Sequence, residues 1–206
     1  QHGFSRGSSD EYGATLAILI RTPARKTVLV DTGGTYRGEE SVGSRASSDV
    51  GRRILVPALS RAGLKKIDAL IITHPHEDHA GGAPEVLRRF RVDLFWDPGG
   101  AESESPGYAA TRREVKRRRI PTRFPVHGDT LELDSGITLT ALRPKPGPET
   151  DVNNRSLILR LTYKETAYLL AGDAEVEEED RLLATGADIR ADVLKVGHHA
   201  SAAACG

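Results

Sequence analysis

The sequence predicts a single α/β domain with two sets of strands and a metal-binding edge. Three observations carry this. Short apolar runs alternate with amphipathic helical segments in the first half. Hairpin signatures fill much of the second half. The histidine-rich stretches directly follow strand-like runs. At 206 residues the chain can bury one sizeable core, and nothing in it reads as two domains. The 29 basic and 29 acidic residues balance, so bulk charge implies no particular partner. No apolar run approaches the roughly 20 residues of a membrane span, and no secretory signal is recognisable. Cys205 stands alone and forms no internal disulfide. The lack of methionine, the start at Gln1 and the end at Gly206 predict a piece of a longer chain.

Residues 1–12 are polar and glycine-rich, a loose terminus in which His2 is solvated. Residues 14–20 and 27–31 read as two strands joined by a turn at Thr22-Pro23, the second ending in Asp31-Thr32-Gly33-Gly34. Tyr36 to Gly51 is too polar for core and is expected as a mobile loop over the active face. Ile54, Leu55, Ala58 and Leu59 form the apolar stripe of a short helix. Asp68–Thr73 is a buried strand, and Pro84 opens a helix through Phe90. Arg91–Trp96 is a further strand, broken by Asp97-Pro98-Gly99-Gly100. A helix is expected from Gly107 to Arg119, then a strand over 121–125. Next comes a hairpin, 130–133 with 137–140, turning at Asp134-Ser135-Gly136. His127 reads as a loop residue and Pro144–Pro148 as a stiff loop within the domain. A second hairpin, 157–162 with 166–171, ends in Gly172-Asp173. Glu175–Asp180 reads as the solvated acidic first turn of a helix, and 191–196 as a strand leading into Gly197-His198-His199.

The chemistry concentrates in Thr73-His74-Pro75-His76-Glu77-Asp78-His79-Ala80-Gly81-Gly82, which holds three of the seven histidines. His74 and His76, two apart in an extended segment, point to one side and can grip a metal ion. Asp78 and His79 follow the turn and can grip a second. Imidazole with carboxylate suits Zn²⁺ or, with more oxygen, Mn²⁺ or Fe. Two ions about 3.5–4 Å apart activate water against phosphodiester or acyl centres. Asp173, at a strand end, can bridge two cations with its two oxygens. His198 and His199, at another strand end, are further ligand candidates. Arg112, Arg113, Lys116, Arg117, Arg118 and Arg119 are the one concentrated basic patch, either a solvated helix face or a cradle for a phosphate backbone.

The His-x-His-x-Asp-His order followed by Gly81-Gly82 resembles the signature of the metallo-β-lactamase superfamily, over residues 14–201. Asn153-Asn154-Arg155-Ser156-Leu157, Leu-Leu-Ala-Gly-Asp and Asp-Val-Leu-Lys-Val-Gly-His-His resemble, more narrowly, the C-terminal hydrolase domain of the ComEC competence proteins. Two departures stand out. Ser9-Asp-Glu-Tyr-Gly-Ala replaces the Val-Gly-Gln-Gly-Asp opening, and Ala200 replaces the glycine of His-His-Gly-Ser.

The resemblance implies a four-layer αββα sandwich, lacking its final strands here, with metals at the upper edges of two sheets. It implies that His74 and His76 hold one ion, that Asp78 and His79 hold the other, and that Asp173 bridges. One of His198 and His199 completes a coordination sphere, and the other is a proton donor to the leaving oxygen. Asp31 buttresses the metal loop, with Asn153 and Asn154 behind the ligands. The Asn153–Ser156 loop stands where lactamases and thioesterases carry a metal-binding histidine. Its amides favour two divalent ions of Zn or Mn. The implied activity is a metal-dependent phosphodiesterase or DNase acting on single-stranded DNA through a water activated by two metals. In the family, the domain is attached to a membrane channel for DNA uptake, on the extracytoplasmic face. A small-molecule phosphodiesterase and a non-catalytic nucleic-acid-binding module are the competing readings.

Overall fold

The computed structural model describes residues 16–34, 50–145 and 150–201. Residues 1–15, residues 35–49 with most of the Tyr36–Gly51 loop, residues 146–149 with most of the Pro144–Pro148 loop, and residues 202–206 lie outside these. The first half builds one sheet from β1 (Ile18–Arg21), β2 (Thr27–Val30), β4 (Ala69–Ile71), β6 (Phe95–Trp96) and β7 (Thr122–Arg123), in the order β1-β2-β4-β6-β7. β1 and β2 form an antiparallel hairpin, and every later neighbour is parallel. Parallel pairs need crossovers. Helices α1 (Val56–Arg61), α2 (Glu77–Ala80), α3 (Ala83–Arg89) and α4 (Pro106–Arg118) fall between these strands. The second half supplies β8 (Thr130–Asp134), β9 (Ile137–Leu142), β10 (Ile158–Tyr163), β11 (Thr166–Leu170) and β12 (Val193–Lys195), ordered β12-β11-β10-β9-β8. Helix α5 (Val176–Ala184) links the last two.

Alternation along the strands makes the layers. Val28, Val30, Ala69, Ile71 and Trp96 of the first sheet meet Leu139, Ala141, Leu157 and Leu159 of the second in one core. Their neighbours Leu29, Leu70, Ile72 and Phe95 face the other way, packing with Leu59, Val86, Leu87, Tyr108 and Val115. On the far side Leu142 and Ile158 pack with Leu182 of α5. The strand faces are therefore apolar on both sides, as continuous hydrophobic runs require. The result is the αββα sandwich.

Local departures from the expected elements have local causes. The run Arg91–Trp96 divides. Arg91–Val92 (β5) pairs with Lys66–Ile67 (β3) in a separate ribbon, and only Phe95–Trp96 joins the main sheet. Asp93 and Leu94 make the step between them. The stripe at Ile54–Leu59 begins as a wide helical turn over Gly51–Leu55 before α1 proper. The strand expected at 121–125 to begin the second set contracts to β7 and instead closes the first sheet beside β6.

Sheet direction decides where chemistry gathers. β2, β4, β6, β11 and β12 all end on one edge of the sandwich, where Asp31, Thr73, Asp97, Asp173 and His198 follow them. β10 enters from this edge, with Leu157 N–H donating to Thr73 O at 2.8 Å. That bond ties the two sheets together beneath the histidine loop. Gly34 packs so closely on α2 that an added Cβ would stand 1.8 Å from Glu77 O.

Candidate metal centre

Histidine loop and buttress come first. His76 remains extended, and its carbonyl accepts from His79 N and Ala80 N as α2 begins. Asp31, itself left-handed at φ 56°, projects a fully buried carboxylate under this loop. It accepts from Thr73 N, from Thr73 Oγ1 and from His79 Nδ1, each at 2.8 Å. With Nδ1 committed, His79 offers the lone pair of Nε2 towards Asp173 Oδ2 at 3.1 Å and Asp78 Oδ2 at 3.7 Å. Thr32 pins the same residue from behind, its N–H and hydroxyl both donating to His79 O at 2.8 Å.

The second sheet brings the remaining groups. Gly172 bends the chain at φ 59° so that Asp173 turns inward. A Cβ there would come within 2.9 Å of Ser156 Cβ. Ser156 Oγ accepts from Asp173 N at 3.1 Å, and Lys195 Nζ lies 3.6 Å from Asp173 Oδ1. His199 Nε2 stands 3.5 Å from Asp78 Oδ2 and 3.6 Å from Asp173 Oδ2. Asp78, His79, Asp173 and His199 thus present ligand atoms all within 4.8 Å of one another.

Two of the converging atoms, His79 Nε2 and His199 Nε2, are buried without a hydrogen-bond partner, as is the other oxygen of the shared carboxylate, Asp173 Oδ1. Buried polar groups normally find partners. Two imidazoles and two carboxylates converging on one point, with donor atoms unsatisfied, fit a divalent cation.

His74 is fully buried beside this group, its Nε2 3.1 Å from His76 Nδ1 and 3.9 Å from Asp173 Oδ2. These three form a second, looser grouping that shares Asp173.

Electrostatics reflect the crowding. Burial alone would lower His79, but Asp31 and Asp173 outweigh it and push its pKa up to about 10. Burial, then the neighbouring His79, holds His74 well below the ordinary histidine value. Burial opposes ionisation of Asp173 and Asp78. The His79 contact and charge outweigh it for Asp173, and the His199 contact with the His79 charge for Asp78, so both carboxyls sit below the usual range.

His198 goes elsewhere. Its Nδ1 lies 2.8 Å from Glu175 Oε1, although without hydrogen-bond alignment. Asn153 Nδ2 donates to the same carboxylate oxygen at 3.1 Å, and Asn154 Oδ1 accepts from Glu175 N at 2.9 Å. Glu175 is therefore part of the site's wall, and Glu178 is buried and paired with Arg181 at 2.8 Å. This corrects the expectation of a solvated acidic turn: α5 packs its first turn against the Asn153–Arg155 loop.

The basic patch runs away from the metal loop. Gly107 N, at the start of α4, donates to Glu77 Oε2 at 2.8 Å, whereas Arg118 reaches Phe90 O at the far end of α3. At 1.5 Å rise per residue the helix C-terminus lies about 18 Å below its start. Arg112 alone stays near the edge, 3.3 Å from Asp97 Oδ2. Arg117 pairs with Glu114, and Arg113, Lys116 and Arg119 are exposed. His127 is an exposed loop residue.

Several site residues escaped sequence reasoning. Thr73 and Ser156 lie inside the quoted motifs but carry no role of their own there, and the acidity of Glu175 suggests a solvated position. Lys195 did leave a signal, as a charged residue inside an otherwise apolar strand.

A family model described as the metallo-β-lactamase superfamily matches residues 11–206. The chain belongs to the metallo-β-lactamase superfamily. Among curated proteins, this superfamily member is similar to ComE operon protein 3 of Bacillus subtilis (strain 168), 33% identical over 98% of this chain and 26% of that protein. It is also similar to competence protein ComA of Neisseria gonorrhoeae, 27% identical over 92% of this chain and 23% of that protein. The chain spans about a quarter of the length of these relatives. Among solved structures it resembles Zn²⁺-bound PqqB from Methylobacterium extorquens, with TM-score 0.53 and 15% identity over 86% of this chain and 58% of that one. It also resembles the Rm3 metallo-β-lactamase, with TM-score 0.51 and 16% identity over 86% of this chain and 70% of that one. At these identities the structures speak for the fold. Among the described residues no helix is long and apolar enough to cross a membrane.

Proposed function

We propose that the chain is a two-metal phosphodiesterase whose substrate is single-stranded DNA, serving DNA uptake as part of a longer, membrane-attached protein on the extracytoplasmic side. The observation that carries the metal-dependent reading is the convergence of Asp78, His79, Asp173 and His199 with unsatisfied buried donor atoms. Similarity to a protein named competence protein ComA and to one named recombination protein 2 (Haemophilus influenzae, 30% identical over 93% of this chain) supports DNA as the substrate.

In this reading Asp78, His79, Asp173 and His199 hold one divalent ion, and His74 and His76, with Asp173 shared, hold the second. Zn²⁺ or Mn²⁺ bound there supplies Lewis acidity and water activation at neutral pH. The protein's own groups do the rest. Asp31 keeps His79 in the Nδ1–H tautomer, which would leave Nε2 free to hold an ion. Lys195 stands against the Asp173 carboxylate, and Ser156 holds the Asp173 backbone N–H. His198, set apart against Glu175, is the proton donor to the leaving oxygen in this reading. Asn153 and Asn154 hold Glu175 in place.

The test loads the chain with Mn²⁺ or Zn²⁺ and offers single-stranded DNA, duplex DNA and bis(p-nitrophenyl) phosphate. Cleavage of single-stranded DNA, abolished by chelation and by Asp173→Ala, is expected. Cleavage of only the small ester would favour the small-molecule phosphodiesterase. Metal binding without cleavage of any of the three would overturn the enzyme reading.

A further inference from the structure

Beside the metal centre, on the same edge of the sandwich, stand two arginines that the site described above does not use. Leu142 at the end of β9 pairs with Ile158, so the next residue, Arg143, falls beside Leu157, whose N–H is bonded to Thr73 O. Adjacent antiparallel positions lie about 5 Å apart. Arg143 is therefore one strand over from the residue that opens the histidine loop. Ala141 faces the space between the sheets and Leu142 the outer side, so alternation returns Arg143 to the intersheet mouth. Arg155 ends the turn Asn153–Arg155 and immediately precedes Ser156, the residue that holds Asp173.

Arg143 is half-buried, and its Nε is sealed from solvent without a hydrogen-bond partner. Among the described residues neither Arg143 nor Arg155 makes an ion pair. The carboxylates whose charges Arg143 feels are Glu178 and Asp97, and both are engaged elsewhere. Glu178 is bound by Arg181. Asp97 accepts from Tyr108 OH and from Gly99 N and has Arg112 at 3.3 Å. Tyr108 and Arg155 complete its electrostatic surroundings, and Arg155 repels it. A half-buried cation without a partner is costly, and a second cation beside it adds to the cost. Guanidinium forks suit the planar, bidentate recognition of phosphate.

We propose that Arg143, with Arg155 beside it, forms a phosphate-binding subsite that takes the backbone phosphate neighbouring the one presented to the metals. The proposal deepens the phosphodiesterase reading and rests on it for the identity of the ligand. It gives the bound strand a direction, from the β4–β11 strand ends at the metals to the β6–β9 ends at Asp97 and Arg143. A substrate with a single phosphate leaves the subsite empty, and an oligonucleotide fills it.

The experiment uses the metal-loaded chain and a fully phosphorothioate-linked dT8, which resists cleavage, with binding read by fluorescence anisotropy across a salt series. Arg143→Gln should weaken binding by about tenfold, the loss of one charge-assisted contact. It should also flatten the slope of log K against log salt by about 0.7, one phosphate on a single strand. Arg143→Lys should restore the slope, since the charge returns. kcat/KM for bis(p-nitrophenyl) phosphate should stay at the wild-type value in both variants. If Arg143→Gln fails to fold, Arg155→Gln, on a turn, should show the same flattening. Wild-type affinity and slope in Arg143→Gln, or no binding of dT8 by the wild type, would overturn the subsite. A chain that binds dT8 through Arg143 and cleaves no phosphodiester would refute the enzymatic reading and leave the subsite standing.

Discussion

Asp31→Asn tests the buttress beneath the metal loop with a change of one heavy atom. The carboxylate takes three donors, Thr73 N, Thr73 Oγ1 and His79 Nδ1, all at 2.8 Å, and is fully buried. The amide keeps one acceptor for Thr73 N and turns an NH₂ group towards Thr73 Oγ1 and His79 Nδ1. His79 can satisfy that group only by accepting at Nδ1, which moves its proton to Nε2. That atom faces Asp173 and Asp78, and once protonated it ligates nothing. Losing such support costs a metal site about 10–100-fold in affinity, or about 1.4–2.7 kcal/mol. Without metal, the lost charged hydrogen bond costs about 1.5–3 kcal/mol. For a chain of this length that lowers the melting midpoint by roughly 3–12 °C. Chelator competition measures the affinity, and thermal unfolding of stripped protein measures the stability. Asp31→Ala should likewise lower hydrolysis by about 10–100-fold. An Asp31→Asn chain that binds metal within about threefold of wild type would refute the tautomer argument.

Two further outcomes follow from the structure. Folding raises the His79 pKa from 6.5 to about 10, so its contribution to the stability of the metal-free chain is complete below pH 6.5 and is lost as pH rises towards 10. Asp78 and Asp173 are lowered from 3.8, so theirs is present above that value and lost as pH falls below it. His74 is held well below 6.5, so its contribution is present above that value and lost as pH falls below it. Denaturant titrations of the stripped chain should therefore peak near pH 6.5, with metal affinity climbing above it as the His79 proton is displaced. A stripped chain that gains stability between pH 7 and 10 would contradict the assignment. For the basic helix, reversing Arg113 and Arg117 should leave both small-ester hydrolysis and the salt slope for single-stranded DNA unchanged, because these residues lie in the middle and at the far end of α4, beyond its start at the metal loop. A slope lowered by about one to two units would return them to the DNA path.

Much of this was legible because some chemistry is local. His74, His76, Asp78 and His79 share one loop, and their spacing after an apolar strand is visible at once. Asp31 and Asp173 could be singled out because each closes a strand-like run beside glycine. Residues whose role comes from a neighbour across the sandwich left no such mark. Ser156 matters because β10 starts beside the end of β11, and Arg143 because β9 ends opposite β6. Neither adjacency is written in sequence spacing. The basic patch shows the converse. Charge counting found it, but only the direction of α4 placed most of it away from the metal loop. Burial reversed the reading of Glu175 and Glu178, whose acidity alone suggested a solvated helix start.

The consecutive histidines show how backbone geometry divides a motif into two roles. In an extended segment His198 and His199 would point to opposite sides, and in a helix they would splay by about 100°. Here His198, His199 and Ala200 are all left-handed, at φ 39°, 52° and 61°. Such a conformation costs about 1–2 kcal/mol for each residue bearing a Cβ. Two bonds hold the turn, Ala200 N to Gly197 O at 2.9 Å and Ser201 N to His198 O at 2.8 Å. Gly197 seats it so closely that a Cβ would lie 2.1 Å from Ala174 O. The turn delivers His199 to Asp78 and Asp173 while directing His198 to Glu175. Strain of this kind persists where surrounding structure imposes it, and such places gather at functional sites. Ala200 occupies the position where the resembling family has glycine, so this chain retains the left-handed turn at its full steric cost. That it does so argues that the separation of the two histidines, rather than easy turn formation, is what the segment provides.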